Sequence, residues 1–287
     1  MKFTKMHSLG NDYVYIDMFT ETIDDPKRWA KFLSHRRYGV GGDGIVLIGS
    51  SDVADFSMRI FNVDGTEAEM CGNALRSVGK YVYRKKYTHN NIFTVSTLGG
   101  IKTVSVIEDG NTVRVKADIG EPILDHSLIP CTKTLVDHPY TIKDRTFYIN
   151  SISMGNPHCV TFVDDLDNFD INIYGAALEV NKFYPNRTNV EFVQLIDRNT
   201  LKMRVWERGC GETWACGTGC SAAAVISILH NYTDRKLNII QKGGTLHIEW
   251  NEDTNSILME SDAEFVFSGE VTEDSLHNFE RMINDEA

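Results

Sequence analysis

Residues 58–72 read MRIFNVDGTEAEMCG, and residues 203–217 read MRVWERGCGETWACG. The second stretch begins 145 residues after the first. The same offset lays Gly10-Asn11 on Gly155-Asn156, Glu67 on Glu212, and Cys71-Gly72 on Cys216-Gly217. At an offset of 144, Gly99-Gly100 falls on Gly243-Gly244, Glu108-Asp109 on Glu252-Asp253, and Asn111 on Asn255. One compensating deletion over such a length marks a tandem duplication of a single unit.

Hydrophobic periodicity shapes that unit. Val14-Tyr15-Ile16, Ile45 to Ile48, Phe56 to Phe61, Ile92 to Val95, Lys102 to Ile107 and Thr112 to Ala117 read as strands. Turn signals such as Asp109-Gly110-Asn111 separate them. Val160 to Val163, Val190 to Leu195, Leu201 to Trp206, Leu246 to Trp250 and Ser256 to Glu260 echo them. One helix follows each matched cysteine, from Gly72 to about Lys85 and from Gly217 to about Leu229. Ser221 to Leu229 is nearly all apolar, so that helix must be buried on every side. The expected fold is α+β, two similar domains in tandem, each a mixed sheet or barrel wrapped around a central apolar helix. The boundary falls near Gly120-Glu121-Pro122, giving domains 1–120 and 121–269. The acidic tail, about 270–287, is free to pack on the first domain or to stay solvated.

Composition narrows the function classes. The 287 residues are 42% apolar and 24% charged, an ordinary globular mix. With 29 Lys and Arg against 40 Asp and Glu, the formal charge is −11, which argues against nucleic-acid or anionic-membrane partners. The most basic run, Tyr83-Arg84-Lys85-Lys86, reads as a solvated helix end. There is no run of 18 apolar residues and no apolar leader after Met1, so a cytoplasmic location is expected. The cysteines are then expected as thiols.

Cys71 and Cys216 carry chemical meaning because each precedes a helix. A helix start offers unpaired N–H groups and partial positive charge, which should lower a thiol's pKa and can cradle a carboxylate. Two such thiols in a duplicated chain are expected to face one cleft. Cys210, Cys216 and Cys220 lack the spacing of a zinc site, so no metal is expected. Cys131 and Cys159 have no repeat partner and read as packing residues. Gly39 to Gly44 fits G-x-G-x-x-G, but a helix-like run, Trp29 to Arg37, precedes it and a strand follows. That order is the reverse of a dinucleotide site, so the glycines read as a tight turn.

The chain resembles the diaminopimelate epimerase family over essentially its full length. The likeness rests on Ser8 to Asp12, Gly39 to Gly44, Phe61 to Asn73, Gly155 to His158, Asn186 to Glu191, Glu207 to Gly209, Gly211 to Thr213 and Ala215 to Gly219. Proline racemase-like relatives typically place histidine two residues after the first cysteine. Here Asn73 stands there and Arg76 follows, as in the diaminopimelate branch. The resemblance implies a cofactor-independent isomerase that converts LL-2,6-diaminopimelate to the meso form in lysine and peptidoglycan-precursor biosynthesis. It implies Cys71 and Cys216 as the acid/base pair. Asn11, Asn62, Asn156, Asn189, Glu207 and Arg208 would bind substrate, with Gly72-Asn73 and Gly217-Thr218. His158 and Glu207 would orient or tune the thiols. Two departures stand out. Gly44 replaces a glutamine of some members, so no side-chain contact is carried over there, and Cys210 stands where alanine is common. The implied partner is a small molecule, with neither nucleic acid nor membrane, and a homodimer is a compatible assembly. Two alternatives remain open at this stage: a related racemase or isomerase, and a thiol redox switch.

Overall fold

A computed structural model describes residues 1–110 and 112–285. The repeat match at Asn111 lies outside the described residues. Contacts divide the chain into two compact units, Met1–Ala117 with Asp262–Ala287, and Asp118–Ser261.

With elements numbered in chain order, the first unit holds β1 (Lys2–Ser8), β2 (Asn11–Asp17), α1 (Pro26–Ser34), β3 (Gly44–Gly49), β4 (Phe56–Asn62), β5 (Glu67–Ala68), α2 (Gly72–Arg84), β6 (Ile92–Thr97), β7 (Gly100–Asp109) and β8 (Thr112–Asp118). The chain returns to it with β18 (Glu264–Glu270) and α5 (Glu273–Asp285). The second unit holds β9 (His138–Ile142), β10 (Arg145–Ser153), β11 (Pro157–Phe162), α3 (Ile171–Glu179), β12 (Asn189–Asp197), β13 (Thr200–Glu207), β14 (Gly211–Thr213), α4 (Gly217–Leu229), β15 (Lys236–Gln241), β16 (Gly244–Trp250) and β17 (Ile257–Ser261).

The duplication is visible in strand pairing. In the first unit β1 and β2 are antiparallel, β2 and β3 parallel, β3 and β4 antiparallel, β4 and β6 parallel, and β6–β7–β8 an antiparallel meander. The second unit repeats that order with β10, β11, β12, β13, β15, β16 and β17. Each parallel pair needs a helical crossover. Helices α1 and α3 join the first such pair in each unit, and α2 and α4 the second.

Both central helices are buried, α4 as its apolar run requires and α2 although it carries Arg76, Ser77 and Lys80 into the interior. In the first unit α2 shares a core with Met6, Tyr15, Val46, Met58, Phe93, Val104 and Val115, drawn from β1 through β8. One helix can touch so many strands only if the sheet curls around it. Gly79 permits this closeness, since a Cβ there would lie 2.6 Å from Val104 Cγ1 and 2.9 Å from Val115 Cγ1. In the second unit α4 packs against β10, β11, β12, β15, β16 and β17. Its buried Ser221 and Ser227 satisfy their hydroxyls on the carbonyls of Gly217 and Ala223, at 3.1 and 2.7 Å. Alternate residues of the first sheet, including Val14, Ile16, Ile45 and Leu47, point outward to Trp29, Phe32 and Leu33 of α1 and to Leu276 and Phe279 of α5.

The first strand of each sheet has a different source. In the second unit β9 precedes β10 in a hairpin, whereas in the first unit β18 supplies the strand beside β1. Residues 262–269, expected in the second domain, lie in the first unit. Pairing of Phe3 with Gly269, the Phe3–Phe267 ring contact and the Arg28–Glu280 ion pair hold this segment there. No helix among the described residues is long and apolar enough to cross a membrane.

Candidate active site

Cys71 and Cys216 occupy equivalent places, each the N-cap of its central helix with extended backbone at φ −142° and −127°. The Leu75 N–H donates to the Cys71 carbonyl at 2.9 Å, and the Cys220 N–H to the Cys216 carbonyl at 3.0 Å. The stretch leading to each cysteine is clamped alike. Arg59 makes a two-pronged ion pair with Glu67 at 2.7 and 3.0 Å, and Arg204 with Glu212 at 2.7 and 3.1 Å. The Gly99 N–H donates to the Glu69 carbonyl at 2.9 Å, and the Gly243 N–H to the Trp214 carbonyl at 2.8 Å.

Around Cys71 the first unit gathers Asn11, Tyr13, Asn73 and Arg76. Gly10, at φ +81°, closes the β1–β2 turn that presents Asn11. The Cys71 thiol lies 3.4 Å from Asn11 Oδ1. Asn11 Nδ2 donates to Asp43 at 2.7 Å, and Arg36 bridges Asp43 and Asp12 at 2.9 and 2.8 Å. Lys5, buried in β1, ion-pairs with Asp12 and donates to the Gly41 carbonyl. The glycine-rich stretch thus forms a turn that carries Asp43 to Asn11. Gly44 admits no side chain, since a Cβ would fall 2.3 Å from the Phe61 carbonyl oxygen. Fully buried Arg76 donates to Asn73 Oδ1 and, at 3.1 Å, to Ser8 Oγ. Asn62 ends β4 at a turn, where its Nδ2 donates to the Thr66 hydroxyl at 3.0 Å.

Around Cys216 the second unit gathers Asn156, His158, Glu191, Glu207 and Thr218. The Gly219 N–H donates to the Cys216 thiol at 3.4 Å, and the Thr218 hydroxyl lies 3.6 Å from it. Asn156 Nδ2 donates to the Thr218 hydroxyl at 3.4 Å. Glu207 accepts from the Thr213 hydroxyl. Asn189 is buried and clamps the strand ends: its Nδ2 donates to the Pro157 carbonyl at 3.0 Å and its Oδ1 accepts from the Arg208 N–H at 2.9 Å. The Arg208 side chain is exposed.

The lowered thiol pKa expected of a helix start is not what these surroundings produce. Burial pushes the Cys71 thiol up, and the Ala74 and Asn73 N–H groups, the Tyr13 hydroxyl and the Arg76 guanidinium only partly offset it. Burial pushes Cys216 well above the ordinary thiol value, and the Glu207 and Glu191 carboxylates add to the rise. Thr218 and the Gly219 N–H oppose it. Helix-start donors are present at both cysteines, but removal from water outweighs them. Of the other cysteines, Cys159 and Cys220 are buried, Cys131 is half-buried and Cys210 is exposed.

Sequence reasoning left out Tyr13, Asp43 and Glu191. Tyr13 was within reach, because the 145-residue offset lays it on His158. Glu191 is a carboxylate inside the apolar run of β12, a buried charge that needs a reason.

The diaminopimelate epimerase family model matches residues 3–124 and 150–266. A diaminopimelate epimerase of Methanococcus maripaludis is 51% identical over 275 residues, covering 94% of this chain and 99% of that protein. One from Agathobacter rectalis is 47% identical over 282 residues, covering 94% and 99%. The crystal structure of a Bacillus anthracis phenazine biosynthesis protein of the PhzF family superposes with a TM-score of 0.68 at 18% identity, over 95% of this chain and 99% of that one, and speaks for the fold alone. Matches that span both halves, at about half identity along nearly all of the chain, mean that it belongs to the diaminopimelate epimerase family.

Proposed function

We infer that this chain is an isomerase that interconverts LL- and meso-2,6-diaminopimelate by exchanging the proton on one α-carbon. Its family and its relatives support the activity. The observation that carries the mechanism is the repeated cysteine at the N-cap of a buried helix. One cysteine, as thiolate, takes the α-proton: the C–H bond breaks, an S–H bond forms, and the electron pair moves into the carboxylate. The other, as thiol, returns a proton to the opposite face. The two protonation states are then exchanged. This requires Cys71 and Cys216 to address opposite faces of one carbon.

The energetic difficulty is the charge that develops on the substrate carboxylate. The N–H groups at Gly72-Asn73 and Gly217-Thr218 are fixed donors suited to it, each worth roughly 3 kcal/mol in the transition state. Asn11 and Asn156, at matched positions beside the thiols, suit the reacting amino-acid head. Arg208, Asn62 and Asn189 are assigned to the remote head, with Arg208 binding its carboxylate in a planar fork. Such a site rejects amino acids with one head, because its polar groups would be left unpaired. The reading includes a small-molecule substrate and a cytoplasmic location.

The test is proton NMR of LL-diaminopimelate in deuterium oxide with the purified protein. The α-proton signal should decay while the meso isomer appears. Protein that exchanges no α-proton, or that exchanges proline or lysine at a comparable rate, overturns the reading.

A further inference from the structure

Glu191 sits where a strand has no ordinary use for charge. It lies in β12 between Val190 and Phe192, and its side chain is fully buried. A buried carboxylate costs several kcal/mol without a partner. Its Oε1 lies 2.7 Å from Nδ1 of His158, itself fully buried, on the parallel neighbour β11. Its Oε2 has no hydrogen-bond partner among the described residues. One hydrogen bond between the carboxylate and the ring nitrogen fixes the orientation of the His158 ring.

The contacts continue to the thiol from two sides. His158 Nε2 lies 3.0 Å from Asn156 Oδ1, Asn156 Nδ2 lies 3.4 Å from Thr218 Oγ1, and Thr218 Oγ1 lies 3.6 Å from Cys216 Sγ. On the other side stands Gly219, where a Cβ would fall 2.8 Å from Glu191 Oε1 and 3.3 Å from Cys216 Sγ. The carboxylate is therefore tucked under the first turn of α4, with only a glycine between it and the thiol.

We propose that Glu191 is a positioning residue for the Cys216 half of the site, holding the His158 ring and, through it, the Asn156 amide and the Thr218 hydroxyl beside the thiol. This rests on the two-thiol reading above. Other groups face the cluster. Glu207, at the end of β13, acts on Cys216. Cys159 of β11 and Tyr184, before β12, lie near Glu191, and the Tyr184 hydroxyl donates to the His158 carbonyl at 3.3 Å. Glu207 remains when Glu191 is replaced, so the effect of Glu191 can be isolated.

Glu191→Gln keeps the shape and removes the charge. Wild type and variant are alkylated with iodoacetamide across a pH series, and each cysteine is followed by mass spectrometry. Near neutral pH, Cys216 should alkylate about three- to tenfold faster in the variant, because a nearby negative charge has gone. Cys71 should be unchanged, and epimerisation should slow by up to about tenfold, because a neutral amide holds the His158 ring more weakly than a carboxylate does. Unchanged Cys216 reactivity, or equal change at both cysteines, overturns the proposal. Should the variant not fold, nitrogen NMR of the wild-type histidines decides. Nδ1 of His158 should give the signal of a ring nitrogen hydrogen-bonded to a carboxylate, and a ring whose Nδ1 makes no such bond refutes the assignment. The alkylation and NMR results do not depend on turnover. Wild type inactive on diaminopimelate would remove the epimerase reading and leave them standing.

Discussion

Removing one oxygen from Tyr13 tests whether the surroundings of Cys71 set its reactivity. The Tyr13 ring belongs to the first unit's core and meets Tyr15 edge-on, with centroids 6.4 Å apart. Burial, then the charges of Cys71 and Asp43, push its own pKa well above the ordinary phenol value, so it is a hydroxyl donor at working pH. Its bond to Cys71 favours the thiolate. A hydrogen bond to a charged group contributes about 1.5–3 kcal/mol and one to a neutral group about 0.5–1.5. The thiolate in Tyr13→Phe therefore loses about 1–2 kcal/mol more than the thiol does. At about 1.4 kcal/mol per factor of ten, that is roughly a 5–30-fold smaller thiolate population below the titration of Cys71.

The assay is kcat/KM for epimerisation from about pH 6.5 to 10, with site-resolved alkylation of Cys71 over the same range. The variant should fall by roughly that 5–30-fold at neutral pH and approach wild type at alkaline pH, where both thiols ionise more readily. Its melting transition should stay cooperative, because the ring remains in place. A rate within twofold of wild type at neutral pH would refute the reasoning, as would a deficit of equal size at every pH.

Cys71→Ala and Cys216→Ala should each lose net epimerisation by at least about a hundredfold, measured by isomer separation, because an acid/base group contributes 10²–10⁴-fold. Cys131→Ala should retain activity. Arg208→Lys should leave the fold intact by circular dichroism yet lower kcat/KM severely, since an ammonium cannot reproduce a two-pronged carboxylate contact. In the wild type, both thiols titrate above the ordinary value. Activity should therefore climb as pH rises from neutral, measured by initial rates. Stability runs the other way. A thiol raised in the folded state holds its proton where the unfolded one loses it, so urea midpoints should fall as pH rises above about 8.5. Gly79→Ala should destabilise the first unit by about 1–3 kcal/mol in urea unfolding, because its Cβ would crowd Val104 and Val115.

The parts legible in the sequence were those set by local pattern. The matched stretches at 58–72 and 203–217 needed no structure to reveal a duplication, and the apolar run from Ser221 to Leu229 required a buried helix. The parts that escaped depend on distant partners. Strand β1 reads KFTKMHS, where Lys5 looks like a solvent residue, but it is buried by reaching Asp12 and the Gly41 carbonyl. Strand β18 is mostly exposed, so no alternation marked it, and pairing with β1 carries it into the first unit. Helix α3 has weak sidedness in INIYGAALE and is held by contacts such as Gly175 against Trp206. The direction of the thiol shifts also needed coordinates, because a helix start is a local feature and burial is not.

The way the two halves diverge has a chemical logic. The offset that preserves the cysteines also preserves their supports, pairing Arg59–Glu67 with Arg204–Glu212. It does not preserve their neighbours. Tyr13 is matched by His158, Val46 by Glu191, Asn62 by Glu207 and Arg76 by Ser221. Burial raises both thiols, but at the first a buried guanidinium partly offsets the rise, while at the second two carboxylates add to it. Two-thiol proton exchange needs one site charged and one neutral at the moment substrate arrives. A perfect repeat would give both sulfurs the same proton affinity and divide the enzyme among states, including the doubly protonated and doubly ionised forms that cannot turn over. Unequal charge around equal scaffolds separates the two affinities, as it does for coupled carboxylates elsewhere. The repeat accounts for the equivalent places of the two thiols, and the departures from it give them the unequal charge that the proposed exchange between one base and one acid requires.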